Sequence, residues 1–497
     1  VRRRAGRALL ACAAALQVAA AEAPTTAALE HHGDPSRAGV YVDPALTRAA
    51  AKGYHLDPAF DARLPGAVYA QPLYAPGVRG GPDLVVAASE RNEVAAFDAR
   101  SGAAIWRRTL GAPVARARLP CGNIDPLGVT GTPVIDPASR TLYLDALTMP
   151  DGGATKVHQV FALGLDDGAV RPGWPLDVAG LARRRGLSFD AAVQNQRGAL
   201  ALAAGTLYVP FGGHFGDCGD YHGFVFAIPL RDPAAATAYR TPARGAGIWA
   251  PGGLSAADGQ LFAATGNSFG ATTWGGGDAV LRFQAGAPLA GAAPDHFAPA
   301  NWKELDEGDV DLGGTAPLPV DLPGATPSKL VVALGKDGKA YLLDRARLGG
   351  VGGQLAAVPV ADDLIINAAA AYATAKGTYV AFRGQGKGCP EEADLTAIRL
   401  VPGAPPTARV AWCARQGGKG SPMVTTTGGG GEAIVWSVGA EGDERLHGFD
   451  GDTGAVVYAG GGPGDALGKV RRFQSPILAK GRIYVGVDGG VKAFRRD

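Results

Sequence analysis

No two of the five cysteines in this 497-residue chain are spaced CxxC. That absence argues against a zinc cluster and against covalent c-type haem attachment. Charge of one sign is also scarce. The formal net charge is +2, and four arginines (Arg2, Arg3, Arg4, Arg7) precede the first acidic residue, Glu22. The remainder therefore carries a formal −2, too little positive charge for a nucleic-acid partner. Beyond the first twenty or so residues no apolar run is long enough to cross a membrane as a helix. Paired carboxylates at a spacing that would point to glycoside hydrolysis are missing as well.

What the chain does have begins at its start. VRRRAGRALLACAAALQVAAAEAP is a basic stretch, an apolar Ala/Leu run and then small residues. This is the layout of a secretory signal peptide, with cleavage expected after Ala21. Residues 1–21 are read as the leader, 22–55 as an N-terminal tail and 56–497 as the folded body. The expected location is exported, periplasmic or extracellular. No transmembrane segment is expected once the leader is removed. His31-His32 falls in the tail and is expected to be disordered. Four cysteines remain after the leader, an even number that favours disulfides in an exported chain.

Glycine is abundant, with 75 residues spread along the chain. Many tight turns between short apolar runs imply an all-β fold. One order recurs eight times. A small or Pro anchor stands at Pro72, Pro133, Ala199, Gly252, Pro317, Ala369, Pro422 and Pro476. A second apolar run starts at Leu84, Leu142, Leu207, Leu261, Leu330, Thr378, Ile434 and Ile483. A third strand follows, as in VAAF at 94–97 or KAYLLD at 339–344. Eight returns of a four-stranded unit indicate an eight-bladed β-propeller, with seven blades as the alternative count. The last pass ends without a fourth strand. FDARLPG at 60–66 is expected to supply it and to close the ring.

The turn in NEVAAFDARSGAAIWRRTLG (92–111) fits this reading. Asp98 can cap backbone amides, Gly102 can take a positive φ, and Trp106 can pack between blades. LHGFDGDTGAVVY (446–458) repeats the device with Asp450, Gly454 and Tyr458. The pattern Ala96-x-Asp98-x-x-Ser101-Gly102-x-x-x-Trp106 resembles the repeat of the pyrroloquinoline quinone (PQQ) propeller superfamily. That superfamily holds PQQ-dependent alcohol dehydrogenases and also non-catalytic envelope propellers. The resemblance spans about residues 60 to 497.

It also implies candidate site residues. GIWAPGGLSAADGQLFAATGN is similar to the segment that carries a Trp beneath the quinone and a metal-binding Asn, which points to Trp249 and Asn267. DVDLGGTAPLPVD is similar to the segment with the catalytic Asp, implying Asp309 with Asp311 beside it. GKDGKAYLLDR implies Lys336 as a quinone contact. The place of the family's metal-binding Glu, in GGHFGDCGDYHG, is held here by His214. PQQ and Ca²⁺ are the cofactors so implied. Two family features are missing: a vicinal cysteine pair over the quinone and an Arg near CGNIDPLGVTG.

Loops joining strands two and three, and strand four to the next strand one, open on one face of a propeller. Cys121 and Cys218 fall on such loops in neighbouring blades, and Cys389 and Cys413 on adjacent strands. Those placements favour the pairs Cys121–Cys218 and Cys389–Cys413 among the three connectivities four cysteines allow. The basic stretches RGQGKGC (383–389) and RRF (471–473) are expected to be solvated. The leading expectation is an exported scaffold that binds a small molecule or an envelope protein through this loop-rich face. The alternative is a PQQ- and Ca²⁺-dependent alcohol or sugar dehydrogenase.

Overall fold

The second run of the first pass, LVVAA at 84–88, is apolar at every position, and it can be so only if both faces are covered. Leu84–Ala88 is buried at all five residues, as a strand packed between two neighbouring sheets must be. In the computed structural model, which describes residues 22–78, 80–289 and 294–496, each pass forms its own sheet, eight in all. The leader, 1–21, lies outside the described residues. Inner strands follow the anchors within a few residues: Leu73–Ala75, Val134–Asp136, Ala201–Ala203, Ser255–Ala257, Leu318–Asp321, Ala370–Thr374, Met423–Thr426 and Ile477–Ala479. These define blades 1 to 8. Within blades 1 to 7 four strands taken in chain order pair antiparallel, and blade 8 has three such strands.

Apolar contacts run around a circle. One cluster joins blade 1 to blade 2, the next blade 2 to blade 3, and so on. The last joins blades 7, 8 and 1. Blade 8 receives its outer strand from the front of the chain. Ala62 and Arg63 pair with Val491 and Gly490, within the expected 60–66 segment. His55 and Leu56 extend the pairing back to Arg495 and Phe494. Phe60 is buried and meets the Tyr484 ring edge-on at 5.7 Å.

The repeated turn is built as its residues suggest. Asp98 Oδ1 accepts from the Ser101 amide at 2.7 Å and the Arg100 amide at 3.1 Å. Gly102 has φ +77°. Trp106 donates from Nε1 to the Leu165 carbonyl of blade 2 at 2.8 Å. Trp412 of blade 6 does the same to Gly451 of blade 7 at 2.9 Å. These indoles fasten one blade to the next.

The expectation of a disordered tail around His31-His32 is overturned. His31 and His32 are 2% and 0% exposed, with stacked rings. The segment from Thr25 to Asp43 crosses the axis and bonds to one inner strand after another. Ala28 exchanges backbone hydrogen bonds with Tyr74 of blade 1. The Leu29, Pro35 and Ala38 carbonyls accept from Ile135, Ala256 and Ala371 of blades 2, 4 and 6. Val40–Val42 pairs in parallel with blade 7 at Val424–Thr426. Arg37, 1% exposed, donates to the Leu254 and Leu200 carbonyls and to Glu30. Inner strands expose backbone groups toward the axis, and buried amides and carbonyls require partners. A peptide lying across the axis supplies them.

Deleting residues 55–64 is expected to turn one cooperative thermal transition into a broad, early one, measured by calorimetry. A deletion that melts like the full chain would show that the ring closes without this strand. Arg37→Ala removes the only counter-charge among the described residues that is ion-paired with the buried Glu30 carboxylate. It is expected to cost about 3–5 kcal/mol in urea unfolding.

Candidate functional site

Five of the residues singled out from sequence reach one cavity of ≈ 350 Å³ from four different loops, and His214 joins them on its wall. Trp249 lies on the connection entering blade 4, and Asn267 on the loop after Gln260–Thr265 of that blade. Asp309 and Asp311 follow the short helix Trp302–Glu307, on the way to blade 5. Lys336 lies between Lys329–Leu334 and Lys339–Asp344 of blade 5. All these connections belong to the loop-rich face, and adjacent blades bring them side by side.

They form one hydrogen-bonded network. Lys336 Nζ donates to Asp309 Oδ1 at 2.8 Å and lies 3.5 Å from Asp311 Oδ1. Asn267 Nδ2 donates to the same Asp309 oxygen at 2.9 Å. Trp249 Nε1 donates to Asp311 Oδ2 at 3.3 Å. The edge of the indole is fixed closely: a Cβ on Gly266 or Gly313 would come within 2.7 Å of Nε1. The ring itself is half-buried. Lys336 and the Arg197 guanidinium lie 5.5 and 5.6 Å from its centroid, within cation–π range. Asp309 has φ +52°, a left-handed conformation uncommon for a residue with a side chain.

The two aspartates differ in environment. The Asp309 side chain is 75% exposed and Asp311's is 6% exposed. Burial pushes the Asp311 carboxyl up to about 6, against the pull of Lys336. Asp278, 0% exposed at the start of the third strand of blade 4, is pushed up to about 8 by burial and by the charges of Asp311 and Asp306. Burial opposes the charge on Lys336, but Asp311 and Asp309 outweigh it and raise its pKa.

His214 lines the cavity too, and its Nε2 is 3.1 Å from the Ala192 carbonyl. Burial lowers its pKa to about 4, so it is neutral. His222 is tied through Nδ1 to the Thr241 carbonyl at 2.9 Å. Among the described residues, no group of three or more His, Cys, Asp or Glu is placed to hold a metal ion. Both disulfides form as the loop positions favoured. Cys121–Cys218 has a Cα–Cα distance of 6.0 Å and Cys389–Cys413 one of 6.1 Å. The first clamps two rim loops beside His214 and is worth about 2–4 kcal/mol.

The structure adds residues that sequence reasoning missed. Arg197, in QNQRGAL ahead of blade 3, faces the cavity, and only its nearness to the Ala199 anchor hinted at this. Arg472 and Phe473 also line it, so the RRF stretch is not a solvated patch. Arg471 and Arg472 are instead ion-paired, to Asp488 at 2.6 Å and Glu441 at 2.7 Å. At the mouth, Phe215 and Leu364 are 63% and 46% exposed and give the rim an apolar side.

No family model and no curated protein matches the chain. Solved structures do. A quinohemoprotein alcohol dehydrogenase from Comamonas testosteroni aligns with TM-score 0.62 and 15% identity, over 95% of this chain and 80% of that one. The quinohemoprotein alcohol dehydrogenase ADHIIG from Pseudomonas putida HK5 gives 0.64 and 13%, over 95% and 80%. A europium-containing methanol dehydrogenase gives 0.62 and 15%, over 93% and 89%. At such identities the likeness concerns fold alone.

One pH effect follows from the buried carboxyls. A carboxyl whose folded pKa exceeds its unfolded value stabilises the fold at low pH, and that stability is lost as pH rises through the folded value. For Asp278 the window runs from about 4 to about 8. Asp278→Asn is expected to melt a few degrees above wild type at pH 9 and alongside it at pH 4.5. Parallel curves for the two proteins across that range would show that Asp278 carries no such proton. The chain is an eight-bladed β-propeller, similar in fold to these quinohemoprotein and methanol dehydrogenase structures.

Proposed function

We propose that this protein is an exported propeller that binds a flat, multiply anionic aromatic molecule in its axial cavity, entered from the loop-rich face. The observation that carries the reading is the half-buried Trp249 ring, walled into the cavity with Arg197 and Lys336 about it. A planar ligand can stack on an indole, and the cations answer anionic substituents. A cavity of ≈ 350 Å³ falls within the usual range for small-molecule sites, about 300–1,000 Å³. Phe215 and Leu364 at the rim suit a partner with some apolar surface. Two disulfides fit an oxidising compartment. No helix among the described residues is long and apolar enough to cross a membrane. Residues 1–21 as a cleaved leader, and 56–497 as the propeller proper, remain part of the same proposal.

A second reading is favoured by the network itself: a PQQ-dependent dehydrogenase of alcohols or sugars. The residues fit a quinone, since the platform and the cations are both in place. When bound, the quinone would supply the two-electron acceptor for oxidation of an alcohol carbon. Asp309, exposed to the cavity and hydrogen-bonded to Asn267 and Lys336, is the group positioned to take a hydroxyl proton on Oδ. Lys336 holds that carboxylate in place through its hydrogen bond to Oδ1. Asp311 holds the indole by its Nε1.

The residues fit Ca²⁺ less well. Asn267 Oδ1 and Asp311 Oδ1 are buried acceptors without hydrogen-bond partners, which suits an oxygen-loving ion. However, the Lys336 ammonium already holds Asp309, and neutral imidazole at His214 is a poor calcium ligand. No step is derived through the metal.

Titration with PQQ, with and without Ca²⁺, followed by tryptophan fluorescence and dye reduction, tests both readings. Binding is expected to weaken about tenfold in Trp249→Ala, from the lost stacking. Asp309→Asn is expected to keep the ligand and lose turnover. No binding at high micromolar PQQ would defeat the cofactor assignment.

A further inference from the structure

A second, smaller chamber of ≈ 30 Å³ adjoins the ligand cavity on the side of the axial segment. The two spaces share Asn123, Arg197, Arg472 and Phe473 in their walls. The smaller one has a mixed lining, in which His31, Gln71, Thr130 and Thr132 supply polar groups beside Tyr69 and Ile124. A space of about 10–15 Å³ by this measure holds one water. This chamber therefore has room for a halide or a single carboxylate group and for little more.

The charges there do not balance within the protein. Arg472 is committed to Glu441, and the adjacent Arg471 to Asp488. Arg197 is different. Its Nε is buried without a hydrogen-bond partner, and among the described residues it forms no ion pair. The acids whose charges reach Arg197 form no ion pair with it, although Glu90 keeps one buried oxygen, Oε1, without a partner, and burial pushes its carboxyl up to about 7. Glu90 Oε2 accepts from the Gly128 amide at 2.8 Å, and Asp217 Oδ1 accepts from the Tyr221 hydroxyl at 2.5 Å. Across the chamber, His31 Nδ1 is likewise buried and unpartnered. Burial, then the charges of His32 and Arg37, keeps this imidazole neutral, so it can donate one N–H. A guanidinium removed from water without a counter-charge is costly. Two residues with orphaned groups lining one space sized for a small anion suggest what relieves that cost.

We propose that this chamber is an anion subsite, in which Arg197 and His31 bind one monoanionic group of halide or carboxylate size. The anion has two potential sources. It can be a free ion, or the carboxylate arm of the molecule in the adjoining cavity. Only the second source rests on the function proposed above. The axial segment then has a role besides bonding to the inner strands, since it carries one wall of a binding site.

The test is a crystal structure of the full chain grown with sodium bromide, for wild type and Arg197→Gln. An anomalous bromide peak between Arg197 and His31 is expected in wild type and not in the variant. Water alone in the wild-type chamber overturns the proposal. So does a peak that persists in the variant, which marks an adventitious ion only. A measurement without any variant guards against misfolding. At equal ionic strength, wild type is expected to melt at a higher temperature in chloride than in the salt of an anion too bulky for the chamber. Identical melting also overturns the proposal. Adding PQQ separates the sources: a carboxylate arm would displace the bromide, whereas a free-ion site would keep it. A bromide site in a protein that does not bind PQQ would leave this inference standing while the cofactor reading falls.

Discussion

A propeller blade has an edge at each end of the circle until something covers it, and here the cover is a pair of short strands from the front of the chain. His55–Leu56 and Ala62–Arg63 pair with the last strand of blade 8, and the apolar cluster joining blades 7, 8 and 1 forms around that junction. Without the pairing, Gly490–Arg495 would present unpaired amides and carbonyls to solvent. Blades 8 and 1 would lose the outer strand their seam packs against. Every loop contact in the cavity depends on this closure, because neighbouring loops meet only if neighbouring blades are held at a constant spacing.

The axial segment completes the closure from within. Its backbone satisfies inner-strand groups from most of the blades, and Arg37 spends its donors on carbonyls of blades 3 and 4 and on Glu30. Burying one charged pair and two imidazoles is expensive in isolation. It is tolerated because many of the segment's backbone groups and the Arg37 guanidinium find partners on the ring. The cavity sits beside this plug, so ligands reach it from the loop-rich face. A rigid floor and a clamped rim, the latter held by Cys121–Cys218, keep Trp249 at a fixed angle.

Charge in the site is arranged around Lys336. This one ammonium links the exposed Asp309 to the buried Asp311, while Asp278 behind them stays protonated at neutral pH. Such a network separates carboxyls of different proton affinity within one wall. The same physics leaves Arg197 as the exception, a cation with an aromatic face but no acid.

Much of this was legible in the residues. The repeated anchors and apolar runs led to eight blades because strand periodicity and turn chemistry act over a few residues. The Asp98–Gly102–Trp106 device could be read for the same reason. Trp249, Asn267, Asp309, Asp311 and Lys336 were found through their motif resemblance. Their meeting in one cavity could not be read locally, since it depends on the spacing between blades 4 and 5. His31, Arg197, Arg472 and Phe473 carried no usable signal, because their burial comes from segments far away in the chain. Local patterning thus determined the strands, the turns and the blade count. The tertiary structure alone decided which polar groups are sealed away from water, because burial is a property of the closed ring and not of any stretch of sequence.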